Sequence, residues 1–270
     1  MTSSTYADFH VHTCYSPCGH REATMAAMIA RAHAKGLAAL GFADHVTPAI
    51  VPGCGFYDGQ QPDVLRRQRQ ELGTLARPDD LEIFVGVEAD YTLAGADCLN
   101  AEVRGLVDHV ICSASHFHLP AAPRPTADTP RAKAELMVRM AREMLEVPGV
   151  TVWAHPFDCG AMQPLAPIMA EIPVETQAAL IGLANEHEVA VEINGGAALD
   201  AAYREATEGF FRLARLLGAR FTVTADAHHP DHFERLDVAV DWARAMDFRD
   251  ADFLTAAEIR DRYERKRAAV

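Results

Sequence analysis

The run Tyr6-Ala7-Asp8-Phe9-His10-Val11-His12 is strand-sized and ends in two histidines two positions apart. Side chains at that spacing on an extended strand share a side. The fold is decided by how often such a run returns. Apolar runs of similar length recur at Leu37–Ala43, Leu81–Val87, Val107–Cys112, Val150–Ala154, Val189–Ile193 and Phe221–Thr224. Val, Ile and Phe are frequent in several of them, as strands favour. Amphipathic stretches fall between or after the runs and predict helices over Ala23–Lys35, Asp63–Ala76, Arg131–Glu146, Val174–Glu186, Ala206–Leu217, His232–Met246 and Ala256–Arg267. Gly36 stands where a C-terminal cap belongs, and Pro148 with Gly149 stops the helix before it.

Strands that alternate with helices imply parallel strands joined by helical crossovers. Seven such units favour a closed or nearly closed α/β barrel, although an open doubly wound sheet has a similar rhythm. One barrel fills about 250 residues, and no repeat, low-complexity tract or long linker divides these 270. A single domain over residues 1–270 is therefore expected. The Pro- and Ala-rich stretch Pro120–Pro130 reads as a barrel loop.

The composition narrows the functional classes. The formal net charge of −13 argues against a dedicated binder of long nucleic acid. It leaves room for a small phosphorylated substrate, because divalent metals reverse the local potential. No apolar segment reaches the ~18 residues of a membrane span, and no basic-then-apolar leader opens the chain. A cytoplasmic location without membrane partners is expected. Cys14, Cys18, Cys54, Cys98, Cys112 and Cys159 form no paired framework and are expected to be free thiols. Cys14-x3-Cys18-x-His20 has zinc-ligand residue types, but no second Cys pair follows at finger spacing.

The unusual residues sit at the strand ends. After His10 and His12 come Asp44-His45, Glu88-Ala89-Asp90, His116-Phe117-His118, His155-Pro156, Glu192-Ile193-Asn194 and Asp226-Ala227-His228-His229. In a barrel those ends meet at one face. Imidazoles and carboxylates together suit zinc, manganese or iron. His10, His12, His20, His45, Glu88, His116, His155, Asp226 and His228 are more candidate ligands than one ion takes, since a catalytic zinc uses about three. Two or three divalent ions are expected, with Glu88 able to bridge two. His33, His109, His187 and His232 read as structural. Glu192 and Asn194 divide evenly between a structural role and substrate contact.

Taken in order, His10-x-His12 with His20, then Asp44-His45, Gly86-x-Glu88, His116, His155-Pro156 and Asp226-x-His228 resemble the PHP (polymerase and histidinol phosphatase) family. The resemblance runs from His10 to His228. It implies a distorted (βα)7 TIM-like barrel with a trinuclear site. One metal would be held by His10, His12, Glu88 and Asp226, a second by Glu88, His116 and His155, and a third by His20, His45 and His228. Cys18-Gly19-His20, Gly86 to Tyr91 and Asp108 to His116 resemble the histidinol-phosphatase branch. The spacing before His116 and the stretch from His118 to Pro130 differ from it.

The implied activity is hydrolysis of a small phosphate monoester by a metal-bridging hydroxide at Glu88, with histidinol phosphate as the leading substrate. Asp226 and His228 are candidate acids for the leaving group. Asp8 and Asp44 are expected to orient ligand imidazoles. Arg21, His118, Arg124, Asn194 and His229 are candidate substrate contacts. Two alternatives stay open: an amidohydrolase-like metal hydrolase, and a non-catalytic metal-binding regulatory domain. The first class often bridges its metals with a carboxylated lysine, and no lysine ends a strand here. A nuclease or proofreading role is a third: the acidic charge speaks against long substrates and leaves short oligonucleotides open. The oligomeric state is not legible in the sequence.

Overall fold

Every one of the seven apolar runs forms a strand, and consecutive strands pair in parallel in chain order. The computed structural model describes residues 6–46, 62–91, 99–119 and 122–268. Cys54, Cys98 and Pro120 lie outside these residues, and Cys14, Cys18, Cys112 and Cys159 are free thiols.

The chain runs β1 (Ala7–Val11), α1 (Met25–Ala34), β2 (Ala39–Phe42), α2 (Asp63–Leu72), β3 (Glu82–Asp90) and α3 (Ala101–Leu106). It continues through β4 (His109–Ser113), α4 (Pro130–Leu145), β5 (Val152–Trp153), α5 (Leu165–Ala170), α6 (Val174–Glu186) and β6 (Ala190–Asn194). It ends with α7 (Gly195–Ala198), α8 (Ala201–Leu216), β7 (Phe221–Thr224), α9 (Arg235–Ala245) and α10 (Ala256–Ala268). The sheet is rolled into a nearly closed barrel. Its seam is a parallel bridge between Val11 and Ala227, with the His12 N–H donating to the Ala227 carbonyl at 2.8 Å. Among the described residues, no helix is long and apolar enough to cross a membrane.

Capping sets several helix limits. Gly36, at φ +72°, ends α1: its N–H donates to the His33 carbonyl at 2.8 Å and that of Leu37 to Ala32 at 3.1 Å. α8 starts five residues before the predicted Ala206, because the Asp200 carboxylate accepts from the Ala202 N–H at 2.9 Å. α3 was not legible as a helix; Asn100 caps it through the Val103 N–H at 2.9 Å. β3 outruns its predicted end and carries Glu88 and Asp90 inside the strand.

Alternation sorts the strand side chains. Leu40, Phe42, Val85, Val87, Val110, Val191 and Val223 face the helices. Ala7, Phe9, Ala39, Phe84, Ile111, Val152 and Ala190 form the barrel floor, plugged by Leu254 and by Ile259 of α10. Above the floor lies the ring of His109. Its Nε2 donates to the Phe9 carbonyl at 3.0 Å, and burial holds its pKa down to about 4. The ring occupies the space left by two glycines: a Cβ on Gly86 would lie 2.1 Å from its Cε1, and one on Gly41 2.8 Å away. The glycine of Gly86-x-Glu88 is thus required by the histidine on the next strand.

β1 breaks the alternation. Its register against β2 shifts between Asp8 and Val11, so Phe9 joins the floor and His10 also turns toward the barrel interior. Bulges re-aim side chains in this way. The buried Asp8 carboxylate accepts from the His10 N–H at 3.1 Å and the Ala225 N–H at 3.0 Å, supporting the bulge and the seam together.

Candidate metal centre

Glu88 follows Phe84 and Gly86 on the inward face of β3, at the upper end of the barrel, and is 2% exposed. Five imidazoles point Nε2 at its carboxylate. His10, His12 and His45 each lie 3.2 Å from Oε2. His155 lies 3.0 Å and His116 3.5 Å from Oε1. Asp226 completes the first group, its Oδ1 3.4 Å from His10 Nε2 and 3.6 Å from His12 Nε2. The two oxygens of Glu88 thus divide the histidines into two sets.

The outward nitrogens have partners as well. His10 Nδ1 meets Glu192 Oε1 at 2.7 Å, and His155 Nδ1 meets Ser115 Oγ at 3.2 Å. Asp90 serves two rings: its Oδ1 hydrogen-bonds His116 Nδ1, and its Oδ2 lies 3.1 Å from His45 Nδ1. His12 Nδ1 lies 3.7 Å from Cys18 Sγ. A carboxylate or hydroxyl oxygen that holds the proton on Nδ1 leaves Nε2 with its lone pair.

The cluster suits a cation. The Nε2 atoms of His10 and His12 face one another at 3.2 Å, and Asp226 Oδ1 is buried without a hydrogen-bond donor among the described residues. Hydrogen bonds alone do not satisfy such a set of inward lone pairs. His10, His12 and Glu88 form one group with ligand spacing, as do His45, Asp90 and His116. Burial opposes charge on His10, yet the Glu192, Asp226 and Glu88 carboxylates hold its pKa well above the ordinary value. Burial likewise opposes charge on Glu88, and His10, His45 and His116 override it and hold its pKa well below the usual carboxylate range. Such a cluster binds protons until a metal displaces them.

The members of the expected third set have different neighbours, although His45 and His228 both lie against Cys18 and the His20 N–H donates to the His228 carbonyl at 2.8 Å. His45 joins the Glu88 centre. His228 stacks on His12 with ring centroids 4.2 Å apart. His20 is exposed and groups with Glu22 and His229 instead. The Glu22 N–H donates to His20 Nδ1 at 3.2 Å, which places the ring proton on Nε2. Cys18, two residues earlier, groups with His12 and His45.

The secondary expectations change more. Among the described residues neither Asp8 nor Asp44 hydrogen-bonds an imidazole, although Asp44 Oδ1 lies 3.8 Å from His12 Nδ1. Asp44 accepts from the Thr13 N–H at 2.6 Å and from the Thr13 hydroxyl and Gln68, and so fixes the turn after His12. Asp226 is a poor acid: burial opposes its charge, but His10, His228 and His12 keep it ionised. His228 is the remaining candidate. Arg124 donates to the carbonyls of Phe117 and Leu119 and ties its own loop. Asn194 caps α7, accepting from the Ala197 N–H, and donates to Glu192 at 3.0 Å and Asp226 at 3.3 Å. Both side chains serve the fold. Arg21 and His118 are exposed near the rim, His118 5.1 Å from the His116 ring, and His229 pairs with Glu22 at 3.2 Å.

Asp90, Ser115 and Arg235 were not singled out for a role at the site. Asp90 had a signal, since it follows Glu88 at the same two-residue spacing as the histidine pair. Arg235 donates to the Asp226 carbonyl at 3.3 Å and steadies a residue held at φ +51°. His155 is also left-handed, at φ +26°. Strain of this kind costs about 1–3 kcal/mol per residue and gathers at functional sites.

The PHP domain model matches residues 8–194, more than half of the chain. The chain belongs to the PHP domain family. No curated protein matches it. Among solved structures it is similar to the histidinol phosphate phosphatase of Lactococcus lactis, complexed with zinc, L-histidinol and phosphate. That likeness has a TM-score of 0.70 at 16% identity and covers 91% of this chain and 95% of that one. It is also similar to a candidate histidinol phosphatase from Listeria monocytogenes, with a TM-score of 0.57 at 14% identity, covering 85% of this chain and 97% of that one. At these identities the likeness speaks for the fold. The PHP model ends at β6, whereas the seam of this barrel needs β7 and its floor needs α10.

Proposed function

We propose that this PHP protein is a metal-dependent phosphoesterase acting on a small phosphate monoester. The observation that carries the reading is the convergence of five imidazole Nε2 atoms on the two oxygens of Glu88, at 3.0–3.5 Å. His10, His12, Asp226 and Glu88 would hold one divalent ion, and His116, His155 and Glu88 a second, with zinc, manganese and iron all suited to the donors. When bound, the ions supply Lewis acidity, acidifying water and offsetting phosphoryl charge.

The rest of the work falls to the chain. Glu88 spaces the two sets, and Asp90, Ser115 and Glu192 hold the rings so that their Nε2 atoms face inward. His228, beside His12 and less buried than it, would hand a proton to the leaving oxygen. His118, His229 and Arg21 would be the first to meet a phosphate entering from the rim. Among the described residues no lysine joins the Glu88 centre, which disfavours the amidohydrolase-like alternative. The net charge of −13 favours small substrates over long nucleic acids. Histidinol phosphate is the first substrate to try, because the Lactococcus relative was solved with L-histidinol and phosphate.

The test is phosphate release by protein loaded with zinc or manganese. The panel should span histidinol phosphate, nucleoside mono- and bisphosphates, sugar phosphates and amides. Release that a chelator abolishes, and that falls at least a hundredfold in Glu88→Gln, supports the reading. Amide turnover without phosphate release, or no turnover of any ester, overturns it.

A further inference from the structure

We infer that Glu192 is a positioning residue that commits His10 to the tautomer a metal ligand needs, while the same carboxylate fastens the backbone of His155. The inference rests on the metal-centre reading above, and it concerns how the chain prepares itself for the ion.

Glu192 lies on β6 and is fully buried. Each of its oxygens has two partners. Oε2 accepts from the His155 N–H at 2.6 Å and from Asn194 Nδ2 at 3.0 Å. Oε1 meets the Thr224 hydroxyl at 2.8 Å and His10 Nδ1 at 2.7 Å. The Oε2 side has no freedom. A backbone N–H can only donate, and the Asn194 amide is oriented by its own Oδ1, which accepts from the Ala197 N–H at 2.9 Å. A carboxylate accepts on its other oxygen too, so His10 keeps its proton on Nδ1, and Nε2, facing Glu88, Asp226 and His12, is the nitrogen that would give up a proton to offer a metal its lone pair.

The isosteric substitution Glu192→Gln separates this role from a merely structural one. An amide has one acceptor and one donor end. The two fixed donors keep the new oxygen on the His155 side, so the NH2 faces His10 and Thr224. The threonine hydroxyl rotates to accept. His10 Nδ1 can also accept, but only by moving its proton to Nε2. Shape and hydrogen bonds survive, and the lone pair offered to the metal is lost.

Zinc binding by the full-length protein, measured by competition with a chromophoric chelator, should weaken 10–100-fold for one equivalent in Glu192→Gln. The circular dichroism spectrum and urea midpoint should stay near wild type. In zinc-loaded wild-type protein with ¹⁵N-labelled histidine, a protected Nδ1–H signal should appear, assigned by its loss in His10→Asn and missing from Glu192→Gln. A folded Glu192→Gln with wild-type zinc affinity overturns the inference. So does a wild-type His10 protonated on Nε2, a result that decides the matter even if the variant does not fold. Neither readout needs turnover, so a protein that binds zinc in this way yet releases no phosphate would overturn the proposed function and leave this inference standing.

Discussion

Asp90 shows how much of the centre depends on residues that would touch no metal. Its two oxygens hold the Nδ1 atoms of His45 and His116. An asparagine offers a single acceptor, so one ring is released. Asp90→Asn should bind zinc 10–100-fold more weakly than wild type while unfolding at a similar urea concentration. Most ligand candidates were legible because they lie at strand ends, several of them in a two-residue pattern. Their partners were not, since a strand-end carboxylate reads the same whether it faces a metal or the back of an imidazole. His20 lies in a turn without periodicity, so nothing local fixed its direction. His109 was legible as structural and has a pH signature. Its pKa is about 4 in the barrel and about 6.5 in an unfolded chain. As pH falls through that window the unfolded chain takes up a proton that the folded chain refuses. Stability is therefore full above 6.5 and declines toward 4, by about 3 kcal/mol from this residue. Urea unfolding of wild type and His109→Gln between those pH values should show the difference shrinking by that amount. A constant difference would mean the ring is already charged.

At the scale of elements, the alternation found every strand, but it could not find the fault in β1. A period of two predicts that Phe9 and His10 face opposite ways, and the bulge puts both inside. Only the pairing with β2 and the acceptor Asp8 reveal it. The short helices α3 and α5 escaped because six residues carry too little periodicity to register. The pairing of β3 with β4 makes a sharper prediction. Gly86 stands opposite His109, and a methyl group there would press into the imidazole. Gly86→Ala should destabilise the protein by about 3 kcal/mol. Adding His109→Ala should recover part of that loss, so that the two single changes fail to add. Strict additivity in urea unfolding would show that the ring and the glycine are energetically independent.

For the whole molecule, the sequence favoured a barrel over an open sheet on the count of units alone. What closes the barrel is less visible: one bridge, the Asp8 carboxylate, and a helix from the end of the chain that plugs the floor. We propose that residues 1–270 fold as one unit. Far- and near-ultraviolet circular dichroism should then report a single transition in urea. Ile259→Ala, in the plug, should lower the stability of that whole transition by about 2–5 kcal/mol. It should leave zinc affinity unchanged, because the plug and the metal ligands lie at opposite ends of the barrel. Two transitions, or a selective loss of zinc, would break the one-unit picture.

The plug also gives the barrel a handle. Tyr6 packs its ring 6.1 Å from Phe253, and Lys266 of α10 reaches the Val150 carbonyl, so the first and last described turns of the chain both pack at the base of the barrel. A resin or electrode coupled through Ala268→Cys would therefore hold the molecule by its base, with the histidine-lined mouth turned to the liquid. Coupled instead through Arg21→Cys, on the His20 turn, the same surface would crowd the mouth. Zinc taken up per captured molecule should be full in the first orientation and reduced in the second.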